Sequence, residues 1–249
     1  MITKIFSTFV LLAGAIVMYG APAAAPELEP DENTVAFWDL SIQKKNVIQD
    51  QSGFGNDLTF RSLEKAPLPV IKKDEGAIFD AQGGILEVKP KESLRIKKGD
   101  FTMEIVFKCG EKVNQKTAFF FLFGNKSHSE KNSGFYLNYG TWQGKKFSFG
   151  YTMNGKAQSF SAPVKQALVN NQWYHLVLTR KGDKLSMSLD GVVLAEKEVK
   201  GDINLVQNRN LRVGIYPAPW QRTKEKKLKT DGFVGTIRYI KISDKAKAK

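Results

Sequence analysis

Between Asn171 and Glu196 three short runs with a period of two residues are separated by two glycine dipeptides, a pattern few folds accommodate. From Tyr174, Leu176 and Leu178 alternate with more polar positions, Gly182-Asp183 supplies a turn, and Leu185, Met187 and Leu189 alternate with Lys184, Ser186 and Ser188. Such alternation puts one side of each strand in a core and the other in water, so the segment reads as a half-buried antiparallel hairpin. Asp190-Gly191 tolerates positive φ at both central turn positions, and Val192, Val193 and Leu194 begin a third strand. Elsewhere glycines and Asn/Asp residues punctuate short runs rich in Phe, Val, Ile and Leu, with no internal repeat and no long amphipathic helical pattern. The predicted class is therefore all-β, a two-sheet antiparallel sandwich. Phe119 to Phe123 is the most apolar run and is expected as a strand buried between the sheets.

The N-terminus carries a separate message. Lys4 precedes an uncharged, mostly apolar run from Ile5 to Met18, followed by Ala21-Pro22-Ala23. A charged start, an apolar stretch and a small-residue cleavage site are the parts of a secretory signal peptide. The stretch is shorter than the roughly 20 residues that span a bilayer. The expectation is a signal peptide over 1–23 and a secreted or periplasmic protein with no transmembrane segment in the mature chain. Residues 24–33, with two prolines and four acids between Pro26 and Glu32, read as a short extended linker. Residues 34–245 then suffice for one sandwich, leaving 246–249 as a basic tail. Cys109 is the sole cysteine, so no internal disulfide forms; at the end of an apparent strand it is expected to be a buried, inert thiol.

The segment Trp173-x-His175-Leu176-x-Leu178-Thr179, a glycine turn, and Leu185-Ser-Met-Ser-Leu-Asp190-Gly191 resembles the signature hairpin of laminin-G-like domains, members of the concanavalin A-like lectin/glucanase superfamily. Val35 to Asp39, Asp50 to Asp57, Ala77 to Asp80, Asp100 to Glu104, Leu211 to Gly214 and Phe233 to Ile237 fall in the order that family implies, and the resemblance covers residues 34 to 245. It implies a jelly-roll sandwich. It does not by itself imply a function, because the superfold hosts lectins, adhesion modules, glucanases and lyases.

Relatives that cleave glycans place Glu-x-Asp-x-(x)-Glu on one strand, bringing a nucleophile and an acid about 5 Å apart. No such segment occurs here, and the histidine and tyrosine segments of the related lyases are also missing. Of the two histidines, His175 lies in the hairpin and reads as structural, while His128 reads as solvated in a polar loop. No Gly-x-Ser-x-Gly supports a serine triad. The expectation is a protein without catalytic residues. Calcium at a sandwich rim needs several carboxylate oxygens, and the acidic run found in pentraxins after the corresponding glycine is replaced by Ile215-Tyr216-Pro217. Asp50, Asn56 and Asp57 are rich in oxygen, but their spacing with Gly53 and Gly55 reads better as a turn. No cofactor is expected; one calcium stays open and its ligands are unknown.

Binding through surface aromatics and charge is what remains. Between Gly214 and Gly232 an insertion presents Tyr216 and Trp220 as flat faces, with Arg222, Lys224, Lys226, Lys227 and Lys229 as cations. Loops on a rigid scaffold are where recognition concentrates. A second set, Tyr139 and Trp142 with Asn138 and Gln143, combines rings with hydrogen-bonding groups; Tyr136 beside them reads as core. The formal net charge is +13, and removing residues 1–23 deletes Lys4 and no acid, leaving +12. Such a field draws polyanions, which outside the cytoplasm means acidic polysaccharides, lipopolysaccharide or other cell-surface polymers and not nucleic acid. The expected function is a secreted, non-catalytic module binding a glycan, acidic by preference. A protein-binding adhesion or envelope module and a glycan-active enzyme with an unrecognised site are the alternatives.

Overall fold

The computed structural model describes residues 24–63, 65–96, 99–111, 119–125, 134–141, 144–205, 209–215 and 232–246. They form two antiparallel sheets packed face to face, with one short 3₁₀ turn at Glu92–Leu94. The first sheet contains β1 (Thr34–Asp39), β4 (Val70–Lys72), β5 (Gly76–Asp80), β7 (Phe101–Cys109), β12 (Trp173–Lys181), β13 (Lys184–Leu189), β14 (Val192–Glu198) and β17 (Val234–Ser243). The second contains β2 (Val47–Ile48), β3 (Leu58–Ser62), β6 (Gly84–Val88), β8 (Phe119–Gly124), β9 (Phe135–Gly140), β10 (Lys146–Met153), β11 (Lys156–Pro163), β15 (Ile203–Asn204) and β16 (Leu211–Val213). Neighbours in the first sheet run β14-β13-β12-β7-β17-β5-β4, with β1 also on β17; in the second, β11-β10-β9-β8-β16-β6-β3-β2, with β15 on β10. The expected two-sheet sandwich is what the chain forms.

The hairpin anticipated from its alternation is β12–β13, and the Asp190-Gly191 turn leads into β14 as expected. Asp190 and Gly191 have φ of 50° and 77°, the pair of positive values that a two-residue turn of this hand demands. Leu176, Leu178, Leu185, Met187 and Leu189 point into the core, while Val177, Thr179, Ser186 and Ser188 point away from it. Rings from both sheets meet between them: Phe107 of the first contacts Phe147 of the second edge-on at 6.1 Å, and Phe101 meets Phe149 at 6.0 Å. Trp38 is fully buried and its indole N–H donates to the Asn56 carbonyl at 2.7 Å. Cys109 is a buried thiol whose ionisation burial pushes far up.

The oxygen-rich segment after β2 is a hydrogen-bonded turn. The Asp50 carboxylate accepts from the Phe37, Ser52 and Asn56 amides at 3.0, 3.0 and 2.8 Å, and from the Ser52 hydroxyl and Asn56 side chain at 2.8 and 3.0 Å. Its oxygens face protein donors that a cation would have to displace.

Within the expected extended linker, residues 24–33, two apolar side chains touch the sandwich. Ala25 and Leu28 pack on the outer face of the first sheet, against the cluster of Phe37, Val106 and Tyr239, as Trp173 also does. No helix among the described residues is long and apolar enough to cross a membrane.

Candidate functional site

A groove of about 790 Å³ runs over the outer face of β12, β13 and β14. Strand pairing explains its lining, because residues in register on neighbouring strands stand side by side on one face. One row crosses the sheet as Ser243, Thr102, Thr179, Ser186 and Glu196; the next runs Lys241, Glu104, Val177, Ser188 and Val193. In the groove the first row supplies the hydroxyls of Thr179 and Ser186, and the second adds Ser188 between the methyls of Val177 and Val193. Short side chains at these outward positions leave the depression, with no bulk to fill it. Lys181 and Lys184 stand at one end, where Lys184 is ion-paired to Glu196 at 2.6 Å.

His175 closes the other end. Its Nε2 lies 2.9 Å from Glu104 Oε2 on the adjacent strand, and its backbone N–H donates to Asp190 Oδ1 at 2.7 Å. The Glu104 side chain is only 3% exposed and that of His175 18%. The reading of His175 as structural captures its anchoring and misses its position at a groove wall. The alternation that predicted the strands contained the rest of the signal: Thr179, Ser186 and Ser188 are the polar phase of the hairpin. Nothing local could couple His175 to Glu104, 71 residues away.

The expected aromatic site is corrected in part. Tyr139 is fully buried, its ring centroid 5.1 Å from that of Phe147, and burial pushes its phenol up to about 12. On β9 the core face takes Phe135, Leu137 and Tyr139, so this ring has no surface to offer. Asn138, on the opposite face, is 1% exposed and equally closed to a ligand. Tyr136 is buried as expected, lying over Gly150, where any β-carbon would strike its ring. Trp142, Gln143, Tyr216, Trp220, Arg222, Lys224 and His128 lie outside the described residues. Among the described residues no cluster of three His, Cys, Asp or Glu side chains is arranged to hold a metal.

Comparison with known proteins agrees with this architecture. Solved structures similar in fold include the receptor binding domain of botulinum neurotoxin mosaic serotype C/D, with a TM-score of 0.60, 13% identity, and coverage of 87% of this chain and 48% of that one. The botulinum neurotoxin serotype G binding domain gives 0.61 at 10% identity, covering 87% and 49%, and the binding domain of Paraclostridial Mosquitocidal Protein 1 gives 0.57 at 14%, covering 87% and 50%. The chain thus spans about half the length of these structures, and at such identities the likeness concerns the fold. A search of curated proteins finds no match. The family described as the concanavalin A-like lectin/glucanases superfamily, in its third laminin G form, matches residues 81–248, well over half of the sequence. With the paired sheets and the signature hairpin in place, the chain belongs to the concanavalin A-like lectin/glucanase superfamily.

Proposed function

We propose that the protein is a secreted glycan-binding module that holds its ligand without cleaving it. The observation that carries this reading is the groove over β12–β14, floored by Thr179, Ser186 and Ser188 hydroxyls alternating with valine methyls. A sugar chain presents the same alternation, hydroxyls at its ring edges and C–H groups on its faces. A concave site that mixes apolar surface with a few placed polar groups is the usual form of a small-ligand site. The similar solved structures are themselves named as binding domains, one of them a receptor binding domain, which supports a binding role. Absence of the Glu-x-Asp-x-(x)-Glu segment supports a non-catalytic one. Within the groove region, Glu104 is engaged by His175 and Glu196 by Lys184. The net charge of +13 favours an acidic polymer, and the apolar run before Ala21-Pro22-Ala23 supports export.

The test is affinity electrophoresis of the purified chain against a panel of acidic and neutral polysaccharides, with and without calcium. Ser186→Tyr fills the groove from an outward position and should weaken glycan retention by about tenfold or more, a change of roughly 1.4 kcal/mol, with the melting temperature preserved. A folded Ser186→Tyr that binds like the parent sinks the groove as the site. Binding lost instead in Trp220→Ala, or on neutralising Arg222 and Lys224, would move the site to the insertion after Gly214. A folded protein that binds no glycan would shift the reading to a protein partner, for which the edge of β14, paired only with β13 among the described strands and with Val192 and Val193 both exposed, offers purchase.

A further inference from the structure

The outer face of the first sheet continues past the groove, and there it is covered by the chain itself. One row beyond Lys241, Glu104 and Val177 stand Tyr239, Val106 and His175, with Phe37 and Trp173 beside them. Phe37 and Tyr239 stack at 5.9 Å with their planes 17° apart. Cations surround the platform: Lys108 Nζ is 5.0 Å from the Trp173 ring centroid, and the Arg238 guanidinium 4.8 Å from that of Tyr239. Ala25 and Leu28 rest on the cluster of Phe37, Val106 and Tyr239. At the edge of this seat the Lys241 ammonium, its side chain only 9% exposed, donates to the Glu29 carbonyl at 2.9 Å and the Asp31 carboxylate at 2.6 Å. Asp31 to Asn33 then border a cavity of about 290 Å³ with Thr102, Glu104 and Ser243. Glu104 is the residue that holds His175 at the groove wall, so the covered platform and the open groove share a partition.

We propose that residues 25–31 occupy, and thereby close, a subsite for an acidic sugar. Leu28 stands where the apolar face of a pyranose would stack on the Phe37–Tyr239–Trp173 platform, and the Asp31 carboxylate stands where a uronate carboxylate would meet Lys241. The proposal rests on the reading of this sheet face as glycan-binding for an acidic polymer and adds to it the place where the ligand's charge is met and a device that competes with it. Aromatic faces carry large contact area at fixed geometry, which suits a ring ligand. A desolvated ammonium requires an anionic or strongly polar partner, which restricts what can replace the segment. The segment is held by the apolar contacts of Ala25 and Leu28, the Lys241 ammonium and the local hydrogen bonds of Asp31 with Asn33 and Thr34, a modest seat compared with a core strand. A site closed nine-tenths of the time binds about tenfold more weakly than its open form, because apparent affinity scales with the open fraction.

The decisive experiment titrates an oligogalacturonate, and a neutral cello-oligosaccharide of equal length, into the full chain and its Leu28→Asp and Asp31→Asn variants, with Lys241→Gln added to Leu28→Asp. Release of the segment should tighten oligogalacturonate binding by about tenfold, leave the neutral oligosaccharide unchanged, and lose that gain when Lys241→Gln is added. Unaltered oligogalacturonate affinity in a folded Leu28→Asp overturns the proposal, and so does an equal gain for both oligosaccharides. Should Leu28→Asp fail to fold, Asp31→Asn loosens the ion pair alone, and the absence of a gain there refutes it equally. Ser186→Tyr separates the two readings. Binding lost in Ser186→Tyr but indifferent to segment release sinks the covered subsite and keeps the groove, whereas no binding by any form sinks both.

Discussion

Replacing Asp50 with alanine should destabilise the fold by about 3–7 kcal/mol, a size set by how many donors lose their acceptor and how deeply they lie. Five hydrogen bonds converge on this carboxylate. Two come from the amides of Phe37 and Asn56, residues that are almost fully buried, and each stranded buried donor costs about 1–3 kcal/mol. The Ser52 amide and hydroxyl lie in part-buried bonds and recover water, so they add only about 0.5 kcal/mol each. The Asn56 side chain keeps its second partner, the Val35 carbonyl at 2.8 Å. For a domain of this size the sum corresponds to roughly 10 °C in melting temperature. Urea unfolding followed by tryptophan fluorescence measures it, since Trp38 donates to the Asn56 carbonyl and reports directly on this turn. A loss below about 1 kcal/mol would refute the ledger of buried donors. A parent protein that EGTA destabilises as much as the mutation does would show instead that Asp50 serves calcium.

Three further outcomes follow from the same structure. Tyr139→Ala should cost about 3–5 kcal/mol as a core deletion, yet leave the glycan affinity of the folded fraction unchanged; selective loss of binding with stability intact would restore this ring to the ligand site. Cys109, buried and held as a thiol, should resist iodoacetamide in the native protein and react once urea unfolds it, as followed by intact mass; rapid native labelling would contradict its burial. Burial pushes the Asp31 carboxyl up, but the Lys241 ammonium and the Asn33 and Thr34 hydrogen bonds outweigh it and hold the group below its ordinary 3.8. A carboxyl depressed on folding contributes stability above its unfolded value and loses it as pH falls through the folded one. Asp31 is half exposed, so solvent screening keeps that contribution small. Hydrogen-exchange protection factors over residues 24–31, taken relative to the intrinsic rate at each pH, should therefore fall below pH 4 while β7 and β17 stay protected, and protection independent of acid would show that the ion pair does not hold the segment.

What could be read locally was read in full on β12 to β14, where a period of two sorts Leu176, Leu178, Leu185 and Met187 from Val177, Thr179, Ser186 and Ser188. The Asp190-Gly191 turn was legible because positive φ at both positions restricts residue type. The Asp50 turn was legible because its acceptor and donors lie within a few residues of one another, apart from Phe37. On β9 local reasoning failed: Phe135 to Tyr139 is apolar or aromatic at nearly every position, so alternation could not say that Tyr139 faces the core. The groove wall needed Glu104 and His175 on neighbouring strands, and the covered platform needed Asp31 and Lys241, 210 residues apart. Periodicity and turn chemistry are properties of a few consecutive residues, so the class of fold and the phase of its clearest strands are written in the chain order alone. Which face closes and which opens depends on what distant parts of the chain lay over it, and that is settled by packing in three dimensions.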